Sequence, residues 1–152
     1  LPMSLVTAPP TTLLRLPVKT TTALNFDTKI KQHGMASKWS TSLCSQATRA
    51  REDMAEQFQF AARRPNGVPL QRLRDSVNTY LGLLAGFMHH PDDVHGSQES
   101  NLKGLVYFYW SPSLCPPVNF ADNNSFYEAA SVLVNLALCC LNQASAHIAT
   151  PS

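Results

Sequence analysis

Apolar positions recur along this chain at helical spacing in three long stretches. Trp39, Leu43, Ala47, Ala50, Met54, Phe58 and Ala61 follow one another at steps of three and four, which places them on one helix face. Arg49, Glu52, Asp53 and Glu56 fill the other face. This helix is expected to begin near Ser37 or Ser40 and to stop at Arg64, because Pro65-Asn66-Gly67 turns the chain. Leu70, Leu73, Val77, Tyr80, Leu81, Leu84, Phe87 and Met88 form a second stripe. So short a turn makes the two helices antiparallel neighbours. His89-His90-Pro91 ends the second helix, and the stretch from Pro91 to Asn101 is polar.

Leu102 to Trp110 reads as a strand, since Val106, Tyr107, Phe108, Tyr109 and Trp110 all favour extended backbone. A loop with Ser111-Pro112 and Pro116-Pro117 separates it from a third helix. Ser125-x-x-Glu128 fits a capping box there, with Asp122 as an earlier alternative cap. The expected buried face is Phe126, Ala129, Ala130, Leu133, Ala137, Cys140, Leu141 and Ala144. From Ala129 to Ala146 no residue is charged, a length at the lower limit for a membrane span. Asn135, Asn142 and Gln143 would be costly in hydrocarbon, so the reading is a core helix.

The start of the chain is different. Pro2, Pro9, Pro10 and Pro17 stand among threonines, and Asp27 is the first acidic residue. Leu13 to Val18 has strand character that Pro17 confines to an edge. Residues 23–36 are mixed, with Asn25 and Gly34 suggesting loop. Arg15 and Lys19 are too few basic residues for a typical transit peptide. The expected fold class is therefore mainly α, three long helices with a small N-terminal β-element. Residues 1–36 form an extended, loosely ordered segment with a short strand, and 37–150 form the helical domain.

Composition adds exclusions. The 152 residues suit a single domain. A net charge of +2 is too mild to indicate nucleic acid. The aromatics of residues 107–110 are not interleaved with basic residues, so they are read as core rather than as a base-stacking platform. Cys44, Cys115, Cys139 and Cys140 form no C-x-x-C, and adjacent helical residues diverge by about 100°, so reduced thiols are expected.

One loop holds candidate chemistry. His89, His90, Asp92, Asp93 and His95 are residue types that bind zinc or nickel, the basis for an alternative reading as a metal-binding protein or metal-dependent enzyme. The adjacent histidines diverge and Pro91 fixes the backbone between them and the carboxylates, so no metal, catalytic or cofactor-binding residue is assigned. No nucleophile elbow, P-loop or dinucleotide fingerprint occurs, and no small-molecule substrate is expected. Arg49, Arg51, Arg63, Arg64, Arg72 and Arg74 line the first hairpin and could meet an acidic membrane, a second alternative. Glu52, Asp53, Glu56 and Asp75 lie among them, which favours a solvated face. Asn123-Asn124-Ser125 fits a glycosylation sequon and is read as helix-start chemistry.

The third helix resembles the hallmark helix of BRO1 domains, aromatic-Glu-x-Ala-Ser-Val-Leu-aromatic-Asn-Leu/Ile-Gly. Tyr127, Glu128, Ala130, Ser131, Val132, Leu133, Asn135 and Leu136 match in place, whereas Val134 and Ala137 depart. Phe108, Tyr109 and Trp110 are similar to the family's Phe-x-Trp strand, with Ser111-Pro112 where an acidic residue often follows. Tyr80-Leu-Gly-Leu-Leu84 and Gly86-Phe87 resemble the corresponding helix of short BRO1-only proteins, including plant forms. Order and spacing agree from about Ser40 to Ala149.

The resemblance implies the start of a curved helical solenoid with a TPR-like middle, of which this chain covers the N-terminal third. It implies a non-enzymatic interaction module, cytoplasmic and endosome-associated. Such a module acts in multivesicular-body sorting by binding the C-terminal helix of an ESCRT-III subunit. The partner groove is implied to lie mostly beyond Ser152, so no protein-binding residue is placed. The prenylation motif of some short members is absent. With its solenoid neighbours missing, the third helix is expected to expose apolar surface.

Overall fold

A computed structural model describes residues 15–33, 40–89, 100, 102–112 and 119–149. Four α-helices and a two-stranded sheet account for the regular structure among them. In chain order they are α1 (Phe26–Gln32), α2 (Thr41–Arg63), α3 (Leu70–Met88), β1 (Phe108–Trp110), β2 (Phe120–Asp122) and α4 (Ser125–Ala149). The fold is mainly α with a small β-element, as the sequence patterning predicts, but the paired strands lie between α3 and α4 rather than in the N-terminal segment.

The α2–α3 hairpin forms as the periodicity requires. The Ser40 side chain caps α2 by accepting from the Leu43 amide (3.4 Å). Arg64 ends α2 ahead of Pro65, and a single 3-10 turn, Pro65–Gly67, reverses the chain. Cys44, Ala47, Met54, Phe58 and Ala61 of α2 are buried, together with Leu73, Val77, Tyr80, Leu84 and Phe87 of α3. Leu43 is half exposed, at the margin of the stripe, and Trp39 lies outside the described residues.

Residues 23–36, expected as loop, contain α1. Asn25 caps that helix through its side chain, which accepts from the Thr28 amide (3.0 Å). A seven-residue helix is not stable alone. Burial of Phe26 and Ile30, worth roughly 1.5–3 kcal/mol each, holds it on the hairpin. Phe26 is wedged among Phe87 (5.1 Å between ring centres), Phe108 (6.3 Å) and Tyr80 (6.5 Å).

The strand expected from Leu102 to Trp110 is shorter. Residues 102–106 turn and bend, with Gly104 at φ +86°, a conformation open to glycine. Only Phe108–Trp110 pairs, antiparallel to Phe120–Asp122 with Trp110 opposite Phe120. Alternation then buries Phe108 and Trp110 and exposes Tyr107 and Tyr109, which corrects the reading of the whole run as core. The N-terminal segment adds one antiparallel bridge, Thr21 to Trp110. Leu13 and Leu14, part of the expected edge strand, lie outside the described residues.

The largest departure concerns α4. Its inward face is Ser125, Glu128, Ser131, Val132, Asn135, Leu138, Cys139, Asn142, Ser145 and Ala146. Phe126, Leu133, Val134, Leu141 and Ile148 are 44–61% exposed. The helix therefore turns its more polar face to the core and most of its apolar face to solvent. This goes against the expected burial of Phe126, Ala130, Leu133, Ala137, Leu141 and Ala144, but it is in keeping with the expected exposure of apolar surface on this helix. By length and composition Ser125–Ile148 could cross a membrane, but the inward face is tied to the rest of the fold by the hydrogen bonds described next.

Candidate functional site

Glu128 is fully buried on the first turn of α4. Arg51, also buried, occupies the apolar stripe of α2 between Ala47 and Met54 and donates its Nε–H to Glu128 Oε1 (2.9 Å). The Tyr80 hydroxyl of α3 donates to the same oxygen (2.8 Å), and the Trp110 indole of β1 donates to Oε2. One carboxylate thus ties together α2, α3, β1 and α4. Burial of a charge is tolerated only when it is paired and its remaining lone pairs are satisfied, and both conditions hold here. The rest of the guanidinium turns to the N-terminal segment, donating to Thr22 C=O (2.6 Å) and Thr21 Oγ1.

The expected capping box of Ser125 and Glu128 therefore does not form: Glu128 is taken up in the core, and Ser125 is the first residue of the helix rather than its cap. Asn124 takes that place: its side chain accepts from the Phe126 amide (3.0 Å), and its carbonyl accepts from Tyr127 and Glu128. Asp122 in turn accepts from the Asn124 amide (2.8 Å). Arg51, expected on a solvated face, is an interior ion, while Arg49, Arg63, Arg64, Arg72 and Arg74 remain exposed.

Residues 15–22 form an extended strap over α4, and asparagines of α4 bind its backbone. Asn135 Oδ1 accepts from the Lys19 amide (2.7 Å) while its Nδ2 donates to the Lys19 carbonyl (3.0 Å). Asn142 Nδ2 donates to the Leu16 carbonyl (2.9 Å). Seven helical residues rise about 10.5 Å and three extended residues about 10 Å, so the spacing of the two asparagines matches that of residues 19 and 16. One further step in this register pairs position 128 with residue 22, the contact that Arg51 completes. At the other margin of the strap, Ser111 Oγ accepts from the Thr20 amide (2.8 Å) and the Ser111 amide donates to Thr20 C=O (2.8 Å).

Among the strap side chains, Thr21 Oγ1 donates to the Tyr109 carbonyl (2.6 Å), Thr20 Oγ1 donates to Ser111 Oγ (2.9 Å), and Lys19 is held through its charge. Its ammonium donates to Ser131 Oγ (3.1 Å) and lies over the rings of Trp110 (5.6 Å) and Tyr127 (5.9 Å). Burial pulls its pKa below the ordinary lysine value, with the Glu128 charge acting in the opposite direction. Tyr80 is pushed well above the usual phenol range by burial and by the Glu128 charge. Burial pushes the Cys139 thiol up to about 12, with Cys140 beside it adding to the shift, and raises Cys44 as well.

The sequence-level candidates fare unevenly. His89 is exposed and packs edge-on against Phe126 (5.8 Å); His90, Asp92, Asp93 and His95 lie outside the described residues. Among the described residues no three of His, Cys, Asp and Glu come together as metal ligands. Cys44, Cys139 and Cys140 are free thiols, and Cys115 lies outside the described residues. The Glu128 cluster was not anticipated, although two signals pointed to it. An arginine sits in the apolar register of α2, and a glutamate opens a helix with no other acidic residue.

These contacts hold four elements together and leave the apolar face of α4 open, the construction of a helical scaffold. No protein-family model matches the chain. The chain is 26% identical over 125 residues to the BRO1 domain-containing protein BROX of Homo sapiens, and equally to that of Pongo abelii. The match takes in 82% of this chain and 28% of either relative, so the chain spans a little over a quarter of their length.

Proposed function

We propose that this chain is a non-enzymatic protein-interaction module of BRO1-like type. The observation that carries the reading is the outward apolar face of α4, where Phe126, Leu133, Val134, Leu141 and Ile148 lie open. Exposed apolar area of this extent on one helix marks an interaction surface. Ala130, Ala137 and Ala144 recur every seven residues along the same exposed side, and the larger residues flank them. Small residues in a column let a second helix approach closely while the flanking side chains fill the sides. An amphipathic helix is the fitting partner. The similarity to BROX supports the module class, and the hallmark-helix resemblance implies the C-terminal helix of an ESCRT-III subunit, on the cytoplasmic side of endosomes, as partner. The α4 face is proposed as this chain's own share of a groove that the resemblance places mostly beyond Ser152. The test is a fluorescence titration of a labelled peptide of that helix against the chain. Saturable binding that weakens at least about tenfold in Leu133→Asp/Leu141→Asp, a loss of about 1.4 kcal/mol, supports the reading. Absence of binding, or binding that the double variant leaves unchanged, rejects it.

A further inference from the structure

The strap and the track beneath it have the properties of a peptide and its receptor. Recognition is mostly of backbone: Asn135 takes both polar groups of Lys19, Asn142 takes the Leu16 carbonyl, and Ser111 brackets Thr20. Backbone pairing of this kind accepts many sequences and leaves specificity to the few side chains that find pockets. Here the pocket takes Lys19, with Ser131 Oγ as acceptor, the faces of Trp110 and Tyr127 as walls, and the Glu128 carboxylate as the nearby negative charge. Arg15, Pro17 and Thr20 point largely to solvent.

Two further features make exchange practicable. Ser131, Asn135 and Asn142 along the floor are polar, so lifting the strap mainly hydrates hydrogen-bonding groups, the outer edge of the Arg51 guanidinium among them, and withdraws from the core edge the partly buried Val18. The chain is re-anchored just beyond the strap by buried Leu24 and Phe26, so residues 15–22 can leave while α1 stays docked. We infer that this track is a binding site for an extended peptide carrying one lysine. The chain's own residues 15–22 fill it in cis, and a segment of the same chemistry from another polypeptide can take their place.

A built-in lock tests this in the full chain. Thr20 Oγ1 and Ser111 Oγ lie 2.9 Å apart, so Thr20→Cys/Ser111→Cys can close a disulfide that pins the strap. The probe is a labelled peptide with the sequence of residues 15–23. The expected result is binding to the wild type and to the reduced double variant, and at least about tenfold weaker binding to the oxidised form. Peptide mapping verifies the bridge and circular dichroism verifies the fold. A probe with alanine in place of its lysine is expected to bind about tenfold more weakly, the combined scale of two partly exposed cation–π contacts and the hydrogen bond to Ser131. Equal binding to the oxidised and reduced forms, no binding to either unlocked protein, or indifference to the lysine overturns the proposal. Hydrogen exchange of the wild type supplies a check that needs no variant. The Lys19 amide should exchange faster than the α2 and α3 core amides, and exchange only through global unfolding would show that the strap does not detach.

Discussion

Glu128→Gln is the most demanding perturbation of this fold, because it removes one charge and almost no volume. In the wild type the carboxylate accepts three hydrogen bonds, from Arg51, Tyr80 and Trp110, on two oxygens. Glutamine keeps one acceptor oxygen and turns an NH2 toward a donor, so at least one of these bonds becomes a donor–donor clash. The greater cost is at Arg51, which stays charged and buried without its partner. Breaking a buried pair from one side costs about 3–5 kcal/mol, a large part of the roughly 5–15 kcal/mol that stabilises a typical domain. In a chain of this length that corresponds to a fall in Tm of roughly 6–20 °C. Urea unfolding followed by tryptophan fluorescence measures it. The double replacement Arg51→Met/Glu128→Met should recover most of the loss, since it leaves no charge to bury. A loss below about 1 kcal/mol for Glu128→Gln, the scale of an exposed pair, would refute the placement of this carboxylate at the centre of the core.

Other consequences follow from the same structure. Tyr80 is held as the neutral phenol, so its contribution is whole below about pH 10 and is lost as pH rises further and the unfolded chain releases its proton first. Lys19, whose pKa is lowered, acts in the opposite sense, but it is only partly buried, and urea midpoints at pH 8 and pH 11 should show a net fall. A midpoint that rises would contradict the burial of the phenol. Cys139, with its thiol at about 12, should resist iodoacetamide at pH 8 in the native protein and react in urea, and mass mapping of the labelled peptide decides it. Leu133→Asp/Leu141→Asp should change stability by no more than about 0.5 kcal/mol per site while reducing hydrophobic-dye binding, since both side chains already face water. A collapse of stability in that variant would mean the apolar face is core after all.

How much was legible in the sequence differs from element to element. The α2–α3 hairpin was readable nearly to the residue, because helical periodicity, the Ser40 cap and the Pro65–Gly67 turn are all local signals. Residues 23–36 were misread because Asn25 serves loops and helix caps alike, and what selects the cap is a distant pocket for Phe26. The residues that carry the resemblance to BRO1 domains include Glu128, Ser131 and Asn135, and a pattern of residue types does not show what each of them binds.

The sequence by itself determined where the helices run, where the chain turns, and that the fold is mainly α. These properties depend on neighbours within one or two turns. The direction in which α4 faces was decided only in three dimensions. Its polar row has partners on α2, α3, β1 and the strap, as far as 126 residues away, and Ser145 turns to the Leu141 carbonyl of its own helix. Among the described residues Asn142 Oδ1 is the one buried side-chain polar atom left without a partner. A polar group so matched is at home in the interior, and an apolar face is then free to turn outward. Hydrophobic patterning, which counts burial without counting partners, assigns the two faces the other way round.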